Sequence, residues 1–242
     1  MLGTLCTLIT VLSCVSGQKV LTQKPSVLSV NKHQNTSMDC NIARDEKYYV
    51  SWYKQVPGSA PQYVLRFYHS HSSPNNYGAG FSSSRFTSTA QSKTDYQLII
   101  TNVEAGDSAV YYCNTWDNST KEEVVVFGQG TKLIVTDSSL AAPTLSLLPP
   151  SSEELKRNKA TLVCLAQMSV GFADVSWTSD GKPVTGGVFT GTAEQKPDKT
   201  FGLSSFLTIT PSEWITDRVF TCKVSSASKT SEKSIKKSDC SE

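Results

Sequence analysis

The stretch Asp107-Ser-Ala-Val-Tyr-Tyr-Cys113 decides the fold. Ala109, Tyr111 and Cys113 point one way along it, and Val110 and Tyr112 point the other. Such period-two alternation is the pattern of a half-buried β-strand. Upstream, Val50 and Trp52 face inward while Ser51, Tyr53 and Gln55 face outward. Trp52 follows Cys40 by 12 residues, and Cys113 lies 73 positions beyond Cys40. The arrangement recurs downstream. Leu162, Cys164 and Ala166 alternate with Val163 and Leu165, Trp177 follows Cys164 by 13 residues, and Cys222 lies 58 beyond it. No segment has the period of a long amphipathic helix. Two short helical turns are expected, at Ser151-Ser-Glu-Glu154 and Thr210-Pro-Ser-Glu213; both have capping-box spacing, and Pro211 stands at the first helical position of the second.

Composition bounds the function. A chain of 242 residues with 38% hydrophobic and 18% charged residues is a folded, globular chain with room for two ordinary domains. A net charge of +2 is too small to hold nucleic acid or an acidic membrane surface. Residues 1–17 form an apolar run ending Val15-Ser-Gly17, which reads as a secretory signal cleaved before Gln18, although it lacks the usual basic start. No later run approaches the roughly 18 apolar residues of a membrane span, so the mature chain is expected to be released. Of seven cysteines, Cys6 and Cys14 leave with the signal. The remaining five are odd in number, which suggests pairs plus one thiol bonded to another chain. They are too widely spaced for a zinc site.

The motifs together resemble those of immunoglobulin light chains. Residues 18–136, with Trp52-Tyr-Lys-Gln55, Asp107 to Cys113 and the joining-type segment Phe127-Gly-Gln-Gly-Thr131, are similar to a variable domain. Heavy chains usually carry Trp where Phe127 stands. The small, polar segment 136–142 reads as an elbow. Residues 137–242 resemble a lambda-type constant domain in Leu148-Pro-Pro-Ser-Ser-Glu-Glu-Leu155, Lys159-Ala-Thr-Leu-Val-Cys164 and the stretch from Leu203 to Trp214. The resemblance implies an all-β chain of two immunoglobulin sandwiches, variable-type then constant-type, with bridges Cys40–Cys113 and Cys164–Cys222. It also implies an ion pair between Asp107 and Arg85, a tyrosine corner at Tyr111, and an inter-chain bond from Cys240 in a polar, mobile tail. Two departures, Phe220 in place of Tyr and the loop Ser169-Val-Gly-Phe-Ala-Asp174, point to a lambda-like isotype outside the mammals.

Function follows from the same resemblance. Tyr53, Gln55, Pro61, Tyr112 and Phe127 would face a heavy-chain variable domain, and Val163, Leu165 and Phe206 its first constant domain. Hypervariable loops are expected at 43–49, 68–73 and 114–126, with Tyr48, Tyr49, Tyr68 and Trp116 as antigen anchors. Asn35 and Asn118 stand in N-x-Ser/Thr sequons; Asn118 is expected to be the better acceptor, and Asn35 to be held in a strand. No catalytic motif accompanies His33, His69 and His71, so neither enzyme activity nor a cofactor or metal is expected. The expected partners are a heavy chain and an antigen, with a light-chain homodimer when the chain is isolated. The expected location is outside the cell, or on its surface with a membrane-bound heavy chain. Two rival readings stand beside this one. A T-cell receptor chain shares the domains and the Phe-Gly-x-Gly motif but ends in a connecting peptide and a membrane span. A freestanding adhesion module leaves the joining segment and Cys240 without a purpose.

Overall fold

A computed structural model describes residues 19–45, 47–119 and 123–240; the signal expected over 1–17 lies outside them. The first half runs Thr22–Lys24 (β1), Val27–Asn31 (β2), Thr36–Asn41 (β3), Val50–Gln55 (β4), Gln62–Phe67 (β5), Phe86–Ala90 (β6), Asp95–Ile100 (β7), Ala109–Asp117 (β8), Val124–Phe127 (β9) and Thr131–Thr136 (β10). One sheet has the order β1-β3-β7-β6. The facing sheet has the order β2-β10-β8-β4-β5, with β9 added beside β8. The second half contains Thr144–Leu148 (β11), Ser152–Lys156 (α1), Ala160–Met168 (β12), Asp174–Ser179 (β13), Lys182–Val184 (β14), Val188–Thr190 (β15), Glu194–Gln195 (β16), Phe201–Ile209 (β17), Pro211–Ile215 (α2), Phe220–Ser226 (β18) and Lys229–Ile235 (β19). Its sheets are β11-β12-β17-β15, with β16 beside β17, and β14-β13-β18-β19. The architecture is all-β, two sandwiches in tandem.

Each sandwich is closed by the same device. Cys40 on β3 is bonded to Cys113 on β8, and Cys164 on β12 to Cys222 on β18, so each bridge joins the two sheets. Loops of this length give each bridge about 4 kcal/mol through the restricted unfolded chain. Trp52 lies directly across the ladder from Cys113, and Trp177 across from Cys222. Both indoles are buried and fill the space beside the bridge. The Trp177 indole N–H donates to the Ser205 hydroxyl at 2.9 Å.

The two helical turns differ in their caps. α2 has the full capping box: Thr210 accepts from the Glu213 N–H, and the Glu213 carboxylate accepts from the Thr210 N–H at 2.8 Å. In α1, Ser151 caps the Glu154 N–H, but the Glu154 carboxylate turns instead to the Thr161 N–H and hydroxyl. The strand pattern beside α1 offers a better donor pair than the helix end, which corrects the box expected there.

Candidate functional site: two apolar sheet faces and a cluster of aromatic loops

The outer face of the β8 sheet is aromatic. Alternation buries Ala109, Tyr111 and Cys113 and turns Tyr112 outward. Tyr112 pairs across the ladder with Tyr53, and Tyr53 with Tyr63. The Tyr53 and Tyr63 rings meet edge-on at 5.6 Å, and the Phe127 ring lies 5.8 Å from Tyr53. Phe127 keeps 51% of its surface exposed. Pro61 is exposed just before β5, while Gln55 donates from Nε2 to the Ser59 carbonyl of its own hairpin.

A residue missed by sequence reasoning shapes the edge of this face. The Gln23 side chain enters between strands: its Nε2 donates to the Tyr111 carbonyl at 2.9 Å, and its Oε1 accepts from the Cys113 and Gly130 N–H groups. A Cβ at Gly128 would lie 2.3 Å from Gln23 Oε1, so a larger residue there would have to displace the Gln23 carboxamide. Gly130 adopts φ +89°, and a Cβ there would press on Val110 and Tyr112. The two glycines of the joining-type segment thus split the last strand into β9 and β10 around one carboxamide. The visible signal was a polar residue at an inward position, two places after Leu21.

In the second sandwich, ladder register lines up Leu148, Val163, Phe206 and Phe189 across four strands. Leu165 lies two residues along β12 on the same face. Phe189 and Leu148, 67% and 44% exposed, belong to this row and were not singled out in the sequence. The Phe189 and Phe206 rings are 6.2 Å apart.

At the loop end of the first sandwich, Tyr49, Tyr68 and His71 form one cluster, with ring centroids 5.4–5.9 Å apart. The Arg66 guanidinium stacks over Tyr49 at 4.6 Å. His69 Nε2 lies 3.2 Å from the Asp45 carboxylate. Burial pushes the Asp45 carboxyl up, but the Lys47 N–H and His69 outweigh it and hold it below its ordinary value. Tyr48 donates to Glu123 at 2.5 Å, and Trp116 is 42% exposed. The third loop is shorter than 114–126. β8 continues to Asp117 and β9 begins at Val124, because Thr115 and Asp117 are buried and extend the alternation. Trp116 therefore sits on a strand, opposite Val125, on the same outer face as Tyr112.

Residues 23–136 match the immunoglobulin V-set domain model and residues 145–229 the immunoglobulin C1-set domain model. The chain belongs to the immunoglobulin superfamily. It is a V-set domain followed by a C1-set domain. It is similar to a viral T-cell receptor beta chain-like protein of feline leukemia virus, at 31% identity over 220 residues. That alignment covers 84% of this chain and 66% of the viral protein.

Within the V-set domain, Arg85 pairs with Asp107, and Lys54 approaches the same carboxylate at 3.8 Å. Burial pulls the Lys54 amine below its ordinary value, against the opposing pull of Asp107. In the C1-set domain Phe220 is buried and brings no hydroxyl to the corner position. The loop before β13 is tied down by Ser226, whose hydroxyl donates to the Phe172 carbonyl at 2.7 Å. Cys240 is not in a loose tail. It follows a 3-10 turn anchored by Asp217, which accepts from the Ser238 N–H at 2.8 Å, and it packs partly against the domain core. Burial raises its thiol above the ordinary value. Asn35 precedes β3 rather than lying in it; it is exposed, and its Oδ1 accepts from the Asn102 N–H at 3.0 Å. Asn118 is exposed just beyond β8. Among the described residues no group of three metal-binding side chains occurs, and no helix is long and apolar enough to cross a membrane.

Proposed function

We propose that this chain is one half of a two-chain antigen receptor: an immunoglobulin light chain that pairs with a heavy chain and presents its loop end to antigen. The carrying observation is the outward aromatic face formed by half-buried Tyr53 and Tyr112 with exposed Phe127, matched in the second domain by the row from Leu148 to Phe189. Apolar faces of this kind mark partner surfaces. The joining-type segment and the lambda-like stretches of the C1-set domain favour a light chain. In this reading the leader is 1–17, the domains are 18–136 and 137–242, Cys240 bonds to the heavy chain, and Tyr48, Tyr49, Tyr68 and Trp116 contact antigen outside the cell. A T-cell-receptor-type chain is the second reading, favoured by the feline leukemia virus relative.

Co-expression in secretory cells separates the two. The chain is expected to be secreted with an immunoglobulin heavy-chain fragment, and Tyr112→Glu is expected to reduce that yield. Secretion only with a T-cell receptor alpha ectodomain supports the second reading, and secretion with neither contradicts both.

A further inference from the structure

Asp117 ends β8 with its carboxylate turned inward, the side chain only 3% exposed. Three separate segments donate to it. The Lys19 N–H reaches Oδ2 at 2.7 Å, Arg44 Nη2 reaches Oδ1 at 2.5 Å, and the Ser119 N–H reaches Oδ1 at 2.9 Å. These donors come from the N-terminal segment, the first loop and the turn after β8. A buried carboxylate is tolerated only when donors of this kind satisfy it. Other bonds run between the same segments: Lys19 Nζ donates to the Trp116 carbonyl at 3.1 Å, and the Thr115 hydroxyl donates to the Tyr49 carbonyl at 3.0 Å.

We infer that Asp117 is the positioning residue of the loop end, its carboxylate fixing the first and third loops to each other before any ligand arrives. The inference rests on the reading of these loops as the antigen-contacting surface, and it gives that surface its character. Tyr49 and Trp116 are tied by main-chain bonds to the segments that this buried anion joins, so binding need not spend free energy on ordering those segments. The second loop joins through the separate contact of His69 with Asp45. The Lys19 N–H, with Ser119 and Arg44, holds the Asp117 carboxyl far below its ordinary value despite burial. The anchor therefore stays ionised at any physiological pH.

Hydrogen exchange on the full chain, free of ligand and partner, tests this. In Asp117→Asn the amide cannot accept from all three donors. Peptides carrying residues 43–49 and 114–126 are expected to exchange about tenfold faster, while peptides from β3, β7 and the C1-set domain stay unchanged. Arg44→Gln is the milder variant and is expected to loosen both loops; combined with Asp117→Asn it adds little further. Unchanged loop exchange in either folded variant overturns the inference. So does acceleration spread evenly over the whole V-set sandwich, which marks an ordinary structural residue. Should Asp117→Asn not fold, Arg44→Gln alone decides. Because no antigen or heavy chain enters the assay, failure here is distinct from failure of the co-secretion test.

Discussion

Tyr111 donates its phenolic hydroxyl to the main-chain carbonyl of Asp107, four residues back, at 3.0 Å. The bond is buried and spans the corner by which the chain enters β8. Tyr111→Phe keeps the ring but leaves the Asp107 carbonyl without this donor. The expected loss is about 1 kcal/mol of V-set stability, read as a lower denaturant midpoint with unchanged slope. An unchanged midpoint shows that the corner contributes nothing.

Asp107 also neutralises two cations, Arg85 and Lys54. Asp107→Asn leaves both beside a neutral amide, at a cost of about 3 kcal/mol. Arg85→Gln is expected to cost less, because Lys54 remains to face the carboxylate. Equal losses in the two variants, measured by urea unfolding, contradict a shared role for Lys54.

Stability is expected to fall at both ends of the pH scale. Hydrogen bonds from the Lys19, Ser238 and Thr210 N–H groups hold the Asp117, Asp217 and Glu213 carboxyls below their ordinary values. A depressed folded pKa stabilises above the unfolded value, near 4, and that contribution is lost as pH falls below it. At the other end, burial raises the Tyr96 phenol to about 12 and the Tyr111 phenol well above 10. Their contribution is present below pH 10 and is lost as the pH rises from there toward 12. Thermal midpoints should therefore hold steady between about pH 5 and 9. A midpoint that keeps rising above pH 10 contradicts the tyrosine assignment.

Much of this was legible in the sequence because strand alternation is local. Ala109, Tyr111 and Cys113 declared their side without reference to any neighbour, and so did Val50 and Trp52. What depends on register or on distant donors was not legible. Leu148 and Phe189 join the apolar row only because their strands pair next to Val163 and Phe206. Gln23 looks like an ordinary polar residue until three strands surround its carboxamide. Asp117 reads as a loop residue in sequence because its partners, Lys19 and Arg44, lie 98 and 73 residues away. Cys240 reads as part of a loose tail in sequence because Asp217, which anchors the turn before it, lies 21 residues from Ser238.

An isolated chain is expected to self-associate through the Tyr53, Tyr112 and Phe127 face, since a second copy presents the same patch. Tyr112→Glu should weaken that dimer about tenfold or more. Sedimentation velocity reads the outcome, and a parent chain that stays monomeric at high concentration contradicts the proposed face.

Both sequon asparagines are exposed. Occupancy is expected at Asn118, beside Trp116, where a glycan would cover part of the aromatic loop end. Enzymatic deglycosylation of the secreted chain should shift the mass of the peptide carrying Asn118. An unshifted peptide contradicts a glycan at Asn118.

As proposed, the chain works as a covalently paired light chain. Mass spectrometry of the native secreted protein under non-reducing conditions tests it most directly. One species containing this chain and a heavy chain is expected, separating on reduction and absent when Cys240 is replaced by Ser. A lone monomer, or a linked species that survives Cys240→Ser, contradicts it.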